Sequence, residues 1–150
     1  MEWIEALGGT IVGLDTAPLI YLIEENPRFL PLVRPFFEAV DRGEFRVVTS
    51  TLTLTEVLVH PMRHGDHELA DQYRRILLHA NQVTTAPVSE VIADEAAQLR
   101  SRYGLRTPDA IQLATAISAG ASSFLTNDTR LPNLPSLKML VLNQLIAKTP

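Results

Sequence analysis

The sequence predicts a three-layer α/β sandwich in which helices flank a mainly parallel central sheet. Three observations carry that prediction. Short apolar runs of strand length alternate with longer segments of helical length. Residues suited to starting a helix, such as Pro18, Ser50 and Thr107-Pro108, lie near the ends of strand-like runs or just before helical stretches. The 150 residues are 46% hydrophobic and 20% charged, which suits one domain (1–150) around a core large enough to fold alone.

Ile11–Leu14 is a buried strand ending at Asp15, after which Pro18 takes a first-turn position in a helix reaching about Glu24. A second helix is expected from Pro27, with Phe36, Phe37 and Val40 as its buried stripe and Arg42-Gly43 as its stop. Phe45–Thr49 is the next strand. Ser50 or Thr51 then caps a helix that carries Glu56 and should be disturbed at Pro61. Asp66 caps a helix to about His79, Val83–Ala86 is a weak strand, and a helix follows from Ser89 to Tyr103. Thr107-Pro108 opens a helix through Ser118 that Ala119-Gly120 ends. Ser123–Thr126 and Met139–Leu142 are the last strands, leaving 1–10 as an N-terminal extension and 143–150 as a C-terminal tail.

The net charge of −4 argues against a generally basic nucleic-acid-binding surface, so any polyanion contact has to be local. With no cysteine there are neither disulfides nor thiolate metal sites. The N-terminus Met-Glu-Trp-Ile-Glu lacks the cationic region of a signal peptide, and polar residues interrupt the apolar stretch Ala110–Leu125. A soluble, cytoplasmic protein with no membrane span is therefore expected.

Four acids stand at the mouths of these elements: Asp15, Glu56, Asp109 and Asp128. Singly, each has an ordinary explanation. Asp15 can cap a helix, Asp109 can favour a helix dipole, Asp128 can sit in a turn, and Glu56 can be solvated on a polar arc with Thr53, His60 and Arg63. Together they point further. Ligands of an open parallel sheet bind beyond the carboxyl ends of its strands, where Asp15 and Asp128 fall. Clustered carboxylates raise one another's pKa, and a hard cation such as Mg²⁺ or Mn²⁺ reverses that cost. Such a centre can activate water for phosphodiester hydrolysis. Phosphate-cradling glycine motifs are absent from the sequence.

The ordered segments resemble the PIN domain family, in particular its VapC-like toxin ribonucleases. Leu14-Asp15-Thr16 with Pro18-Leu19-Ile20-Tyr21 is similar to the family's opening motif, and Thr55-Glu56-Val57-Leu58 to its glutamate helix. Arg106-Thr107-Pro108-Asp109-Ala110 and Leu125-Thr126-Asn127-Asp128 are similar to its third and last acidic motifs. The resemblance implies a Mg²⁺- or Mn²⁺-dependent endoribonuclease, the toxin of a type II toxin–antitoxin pair, with an RNA substrate, an antitoxin partner and a homodimeric state. It implies Asp15, Asp109 and Asp128 as metal ligands, and Glu56 as a ligand or a group orienting the attacking water. Thr16 and Thr126 would hold metal-bound waters, with Asn127 behind them. A catalytically inactive PIN module, or a DNA or structure-specific nuclease, is the alternative.

Two departures stand out: Ala17 replaces a polar residue common in the family, and residues precede the first strand where many relatives begin at once. Trp3 and Ile4 in that segment are expected either to be disordered or to pack on a partner. Arg106 and Arg130 border the acidic motifs and are candidates for holding RNA phosphates. Tyr21 and Phe29 read as core rather than as base-stacking platforms. His60 and His64 have the spacing of a helical zinc pair but lack the intervening glutamate of the metalloprotease motif.

Overall fold

The computed structural model describes residues 1–146. Its elements begin with α1 (Glu2–Glu5), β1 (Ile11–Leu14), α2 (Thr16–Ile23), α3 (Leu30–Asp41), β2 (Arg46–Ser50) and α4 (Thr51–Arg63). Then come α5 (His67–Arg74), which runs on into a π-helical turn at Arg75–His79, β3 (Val83–Ala86), α6 (Glu90–Tyr103) and α7 (Thr107–Ser118). The described chain ends with β4 (Ser123–Thr126), β5 (Lys138–Val141) and α8 (Leu142–Ile146). The strands pair in the order β3-β2-β1-β4-β5, and every neighbouring pair is parallel. Helices cover both faces, so the three-layer sandwich is realised with a wholly parallel sheet. Among the described residues no helix is long and apolar enough to cross a membrane.

Alternation along the strands assigns each face its core. Val12, Leu14, Val47 and Leu125 point into a cluster with Leu19, Val33, Phe36, Val57 and Tyr73 from α2 to α5. Val48 and Phe124 point the other way, against Leu113 and Ala116 of α7, with Leu99 of α6 packed alongside. Gly13 also belongs to that second face. A methyl group on it would lie 2.6 Å from Ala116 Cβ and 2.7 Å from Phe124 Cδ1, so β1 and α7 meet only because this residue has no side chain.

Several expected boundaries move, each for a local reason. The second helix starts at Leu30 rather than Pro27, because Asn26 Oδ1 accepts from the amides of Arg28 at 3.0 Å and Phe29 at 3.2 Å and holds a turn first. Pro61 does not break α4; it occupies the last turn, where its ring is buried and few downstream hydrogen bonds depend on it. The last strand ends at Val141, and Leu142 opens α8, which takes up the described part of the segment 143–150; residues beyond 146 lie outside the described structure. The N-terminal segment folds back on its own core. Trp3 stacks on Phe36 with ring centroids 5.9 Å apart, and Ile4 and Leu7 are buried.

Gly13→Ala is expected to destabilise the protein by about 1–3 kcal/mol through overpacking, read from denaturant unfolding at neutral pH.

Candidate active site

The strand order reverses direction between β1 and β4, and that switch point opens a crevice at the carboxyl ends of the two strands. Asp15 is the first residue beyond β1. Its Oδ1 accepts from the Thr16 amide at 2.9 Å and caps α2, while its Oδ2 accepts from the Thr126 hydroxyl at 2.7 Å across the switch. The same Thr126 oxygen accepts from the Asp128 amide at 3.0 Å. One buried hydroxyl at the end of β4 thus fixes two of the acids. Asn127 braces the loop from behind, donating to the Tyr21 hydroxyl at 3.2 Å and accepting from the Asn143 amide at 2.9 Å.

Glu56 and Asp109 are positioned from the core. Gln112, one turn beyond Asp109 on α7, donates from Nε2 to Thr53 Oγ1 at 2.7 Å. Thr53, one turn before Glu56 on α4, lies 2.7 Å from Thr49 Oγ1 of β2, which donates to the Leu14 carbonyl at 2.8 Å. Hydroxyl hydrogens satisfy this chain in one direction only: Gln112 to Thr53, Thr53 to Thr49, Thr49 to Leu14. All three polar side chains are buried. The relay links the segments that carry Asp109, Glu56 and Asp15. Thr53 therefore does not share a solvated arc with Glu56, as helical spacing predicts; it faces inward and Glu56 outward. Thr16 is buried, with its hydroxyl donating to Thr53 Oγ1 at 3.5 Å, and it lowers the Glu56 pKa in part.

The acids fall into two electrostatic classes. Burial, followed by the charges of Asp109 and Asp128, pushes the Asp15 carboxyl above its ordinary value, against hydrogen bonds from Thr126 and Thr16. Glu56 is raised as well, by partial burial of its carboxylate first and by the charge of Asp15 second, with Asp109 adding to the effect. Asp128 is lowered, chiefly by hydrogen bonds from the Arg130 side chain. Arg106 Nε lies 3.1 Å from Asp109 Oδ2, and Arg130 grips both oxygens of Asp128 at 3.0 Å. With those two carboxylates turned to arginines, no group of three or more His, Cys, Asp or Glu among the described residues encloses a metal position. The donors themselves, all carboxylate oxygens with two of them held at raised pKa, fit a hard divalent cation rather than zinc.

An open cleft of about 330 Å³ is lined by Asp15, Ala17, Tyr21, Asn127, Asp128, Thr129 and Arg130. Glu56 and Asp109 face Asp15 electrostatically but do not line that cleft. Tyr21 stacks on Phe29 at 4.7 Å and turns its hydroxyl to the site. His60 and His64 lie with ring centroids 4.3 Å apart, but His64 Nδ1 is tied to the His60 carbonyl at 2.9 Å.

An all-parallel five-stranded sheet covered by helices on both faces, with acids near its switch point, defines the class of α/β fold. The PIN domain model matches residues 12–137, and the chain belongs to the PIN domain family. Among solved structures, a toxin–antitoxin complex from Klebsiella pneumoniae superposes with a TM-score of 0.63 at 23% identity, over 86% of this chain and 95% of that one. VapBC2 from Rickettsia felis, bound to a DNA fragment from its promoter, gives 0.66 at 16% identity over 87% and 98%. DNA-bound VapBC from Salmonella typhimurium gives 0.67 at 16% identity over 89% and 98%. At these identities the likeness is one of fold. No curated protein matches the chain in sequence.

Two outcomes follow from this geometry. Thr53→Val strands the buried Gln112 amide and should cost about 1–3 kcal/mol in denaturant unfolding. The second concerns Asp15. The unfolded chain releases the Asp15 proton near 3.8, whereas the folded protein holds it to higher pH. Between those values the folded state binds more protons, so stability falls as pH rises. In chelator, Asp15→Asn should melt above the parent at pH 7, and the difference should vanish below the ordinary carboxyl value.

Proposed function

We propose that the chain is a Mg²⁺- or Mn²⁺-dependent endoribonuclease that hydrolyses RNA phosphodiester bonds as the toxin of a type II toxin–antitoxin pair. The observation that carries this reading is that carboxylates from four separate segments lie near enough to Asp15, at the sheet's switch point, to act on one another's charge, two of them being held at raised pKa. Membership of the PIN domain family supports it, and so does the likeness to chains solved in toxin–antitoxin complexes.

Asp15, Asp109 and Asp128 would hold the cation, with Glu56 beside them. When bound, the metal supplies Lewis acidity and lowers the pKa of a water. Glu56, raised in pKa by partial burial of its carboxylate and by the charge of Asp15, would orient the attacking water and take its proton. Thr126 keeps the Asp15 carboxylate oriented, Thr16 does the same for Glu56, and Asn127 stiffens the loop that presents Asp128. Arg106 and Arg130 stand at the rim, where they would hold phosphates flanking the scissile bond.

The partners in this reading are an RNA substrate, an antitoxin that blocks the cleft, and a second copy of the chain in a homodimer, all in the cytoplasm. Recovery of tagged protein from its host without any small co-purifying protein would count heavily against the antitoxin.

Cleavage of a mixed RNA pool in Mn²⁺ should be abolished by chelator and fall about 100-fold or more in Asp15→Asn and in Asp109→Asn. Parental cleavage rates in both variants would remove these residues from the active site.

A further inference from the structure

We propose that Arg106 and Arg130 are exchangeable counter-ions. Each holds an aspartate of the site until a divalent cation takes that carboxylate, and the released guanidinium then binds a substrate phosphate. This rests on the metal-dependent nuclease reading above, and adds to it a coupling between cation and RNA.

The pairing pattern carries the argument. Arg130 donates to Asp128 from Nε and Nη2, both at 3.0 Å, and Arg106 donates to Asp109 from Nε at 3.1 Å and Nη2 at 3.5 Å. In both pairs each carboxylate oxygen receives a guanidinium N–H. While its arginine stays in place, each aspartate offers a cation only the lone pairs that the guanidinium leaves, and offers them beside a positive charge. Asp15 and Glu56, by contrast, form no ion pair among the described residues. Four carboxylates against two guanidiniums leave a local formal charge of −2, so the arginines neutralise only part of the cluster.

Exposure shows which partner moves. The side chains of Asp109 and Asp128 are each 18% exposed, whereas those of Arg106 and Arg130 are 66% and 73% exposed. The aspartates belong to the site, and the arginines lie over them from the solvent side. Asp128 is fixed without its arginine, through the backbone bond from its amide to Thr126. Exposed ion pairs contribute little net stability, so a cation displaces them readily. The planar guanidinium fork that grips a carboxylate in two places grips a phosphate in the same way. Short tethers keep the freed groups at the rim, Arg106 at the N-cap of α7 and Arg130 in the turn two residues after Asp128.

A plain phosphate-contact role and a plain structural role predict other results. If the arginines only touch phosphate, their removal leaves metal affinity alone. If they only brace the aspartates, their removal weakens metal binding. Exchange predicts tighter metal binding without them, and a reciprocal coupling between metal and RNA in the parent.

The test is calorimetric titration of Mn²⁺ into the full chain and into R106Q/R130Q. Each is measured with and without a 2′-O-methyl phosphorothioate RNA that resists cleavage, after subtraction of Mn²⁺ binding to that RNA alone. The parent should bind Mn²⁺ about fivefold or more tightly when the RNA is present, the lower end of ordinary coupling between sites. The double variant should bind Mn²⁺ about fivefold or more tightly than the parent without RNA, and RNA should no longer change its affinity. Parental or weaker Mn²⁺ binding by the double variant, in a parent that binds Mn²⁺ and cleaves RNA, overturns the exchange and leaves the nuclease reading standing. A parent that binds no Mn²⁺ overturns both.

Discussion

The buried relay from Gln112 through Thr53 and Thr49 to the Leu14 carbonyl is the constraint on which the site depends. It crosses from α7 to α4 to β2 to β1 inside the protein, where each hydrogen bond is strengthened by its surroundings and each missing partner is costly. Three acids ride on those elements within one turn or one residue of a relay member. Thr126 performs the same service on the other side of the switch point, where one hydroxyl donates to Asp15 and accepts from the Asp128 amide. The segments that carry the acids are thus braced by uncharged groups, which hold the carboxylates near one another against their mutual repulsion.

Holding them there costs stability. Burial and mutual repulsion raise Asp15 and Glu56, and hydrogen bonds from Thr126 and Thr16, with the charge of Arg106 near Glu56, offset only part of that rise. The packing elsewhere is correspondingly close. Phe36 is fully buried among Phe37 and Phe45, each at 5.1 Å between ring centroids, with Trp3 stacked over it. At Gly13, strand and helix meet so closely that no side chain fits. The rigid sheet and the tight β1–α7 contact fix the distance between the Asp15 and Asp109 segments, while the arginine side chains lie over the acids from the solvent side. Order lies in the frame, and adjustment lies at the mouth.

Much of this was legible in the sequence. Strand-length runs alternating with capped helices were enough to predict a parallel sheet, and the rule for strand ends brought Asp15 and Asp128 to one crevice. The four segments that resemble PIN motifs lie within the matched residues 12–137. The support was less visible. Helical spacing puts Thr53 with Glu56 and His60, and only the approach of α4 to β2 turns it inward. Gln112 looks like a polar break in an apolar stretch, because a side-chain relay between distant segments leaves no local pattern. The ion pairs were half visible, since short spacing places Arg106 near Asp109 and Arg130 near Asp128 without showing that every carboxylate oxygen is taken. Trp3 was misjudged because a stacking partner more than thirty residues away cannot be read from the N-terminus itself.

The central claim is that these carboxylates form a divalent-cation centre, and the most direct measurement is thermal unfolding of metal-stripped protein with Mn²⁺ added. At about 100 times its dissociation constant a ligand adds about 2.7 kcal/mol, which for a chain of this length raises the melting temperature by roughly 5–10 °C. That rise, absent in Asp109→Asn, is the result the account predicts. A melting temperature unmoved by millimolar Mn²⁺ in the parent, or moved equally in the variant, would contradict it.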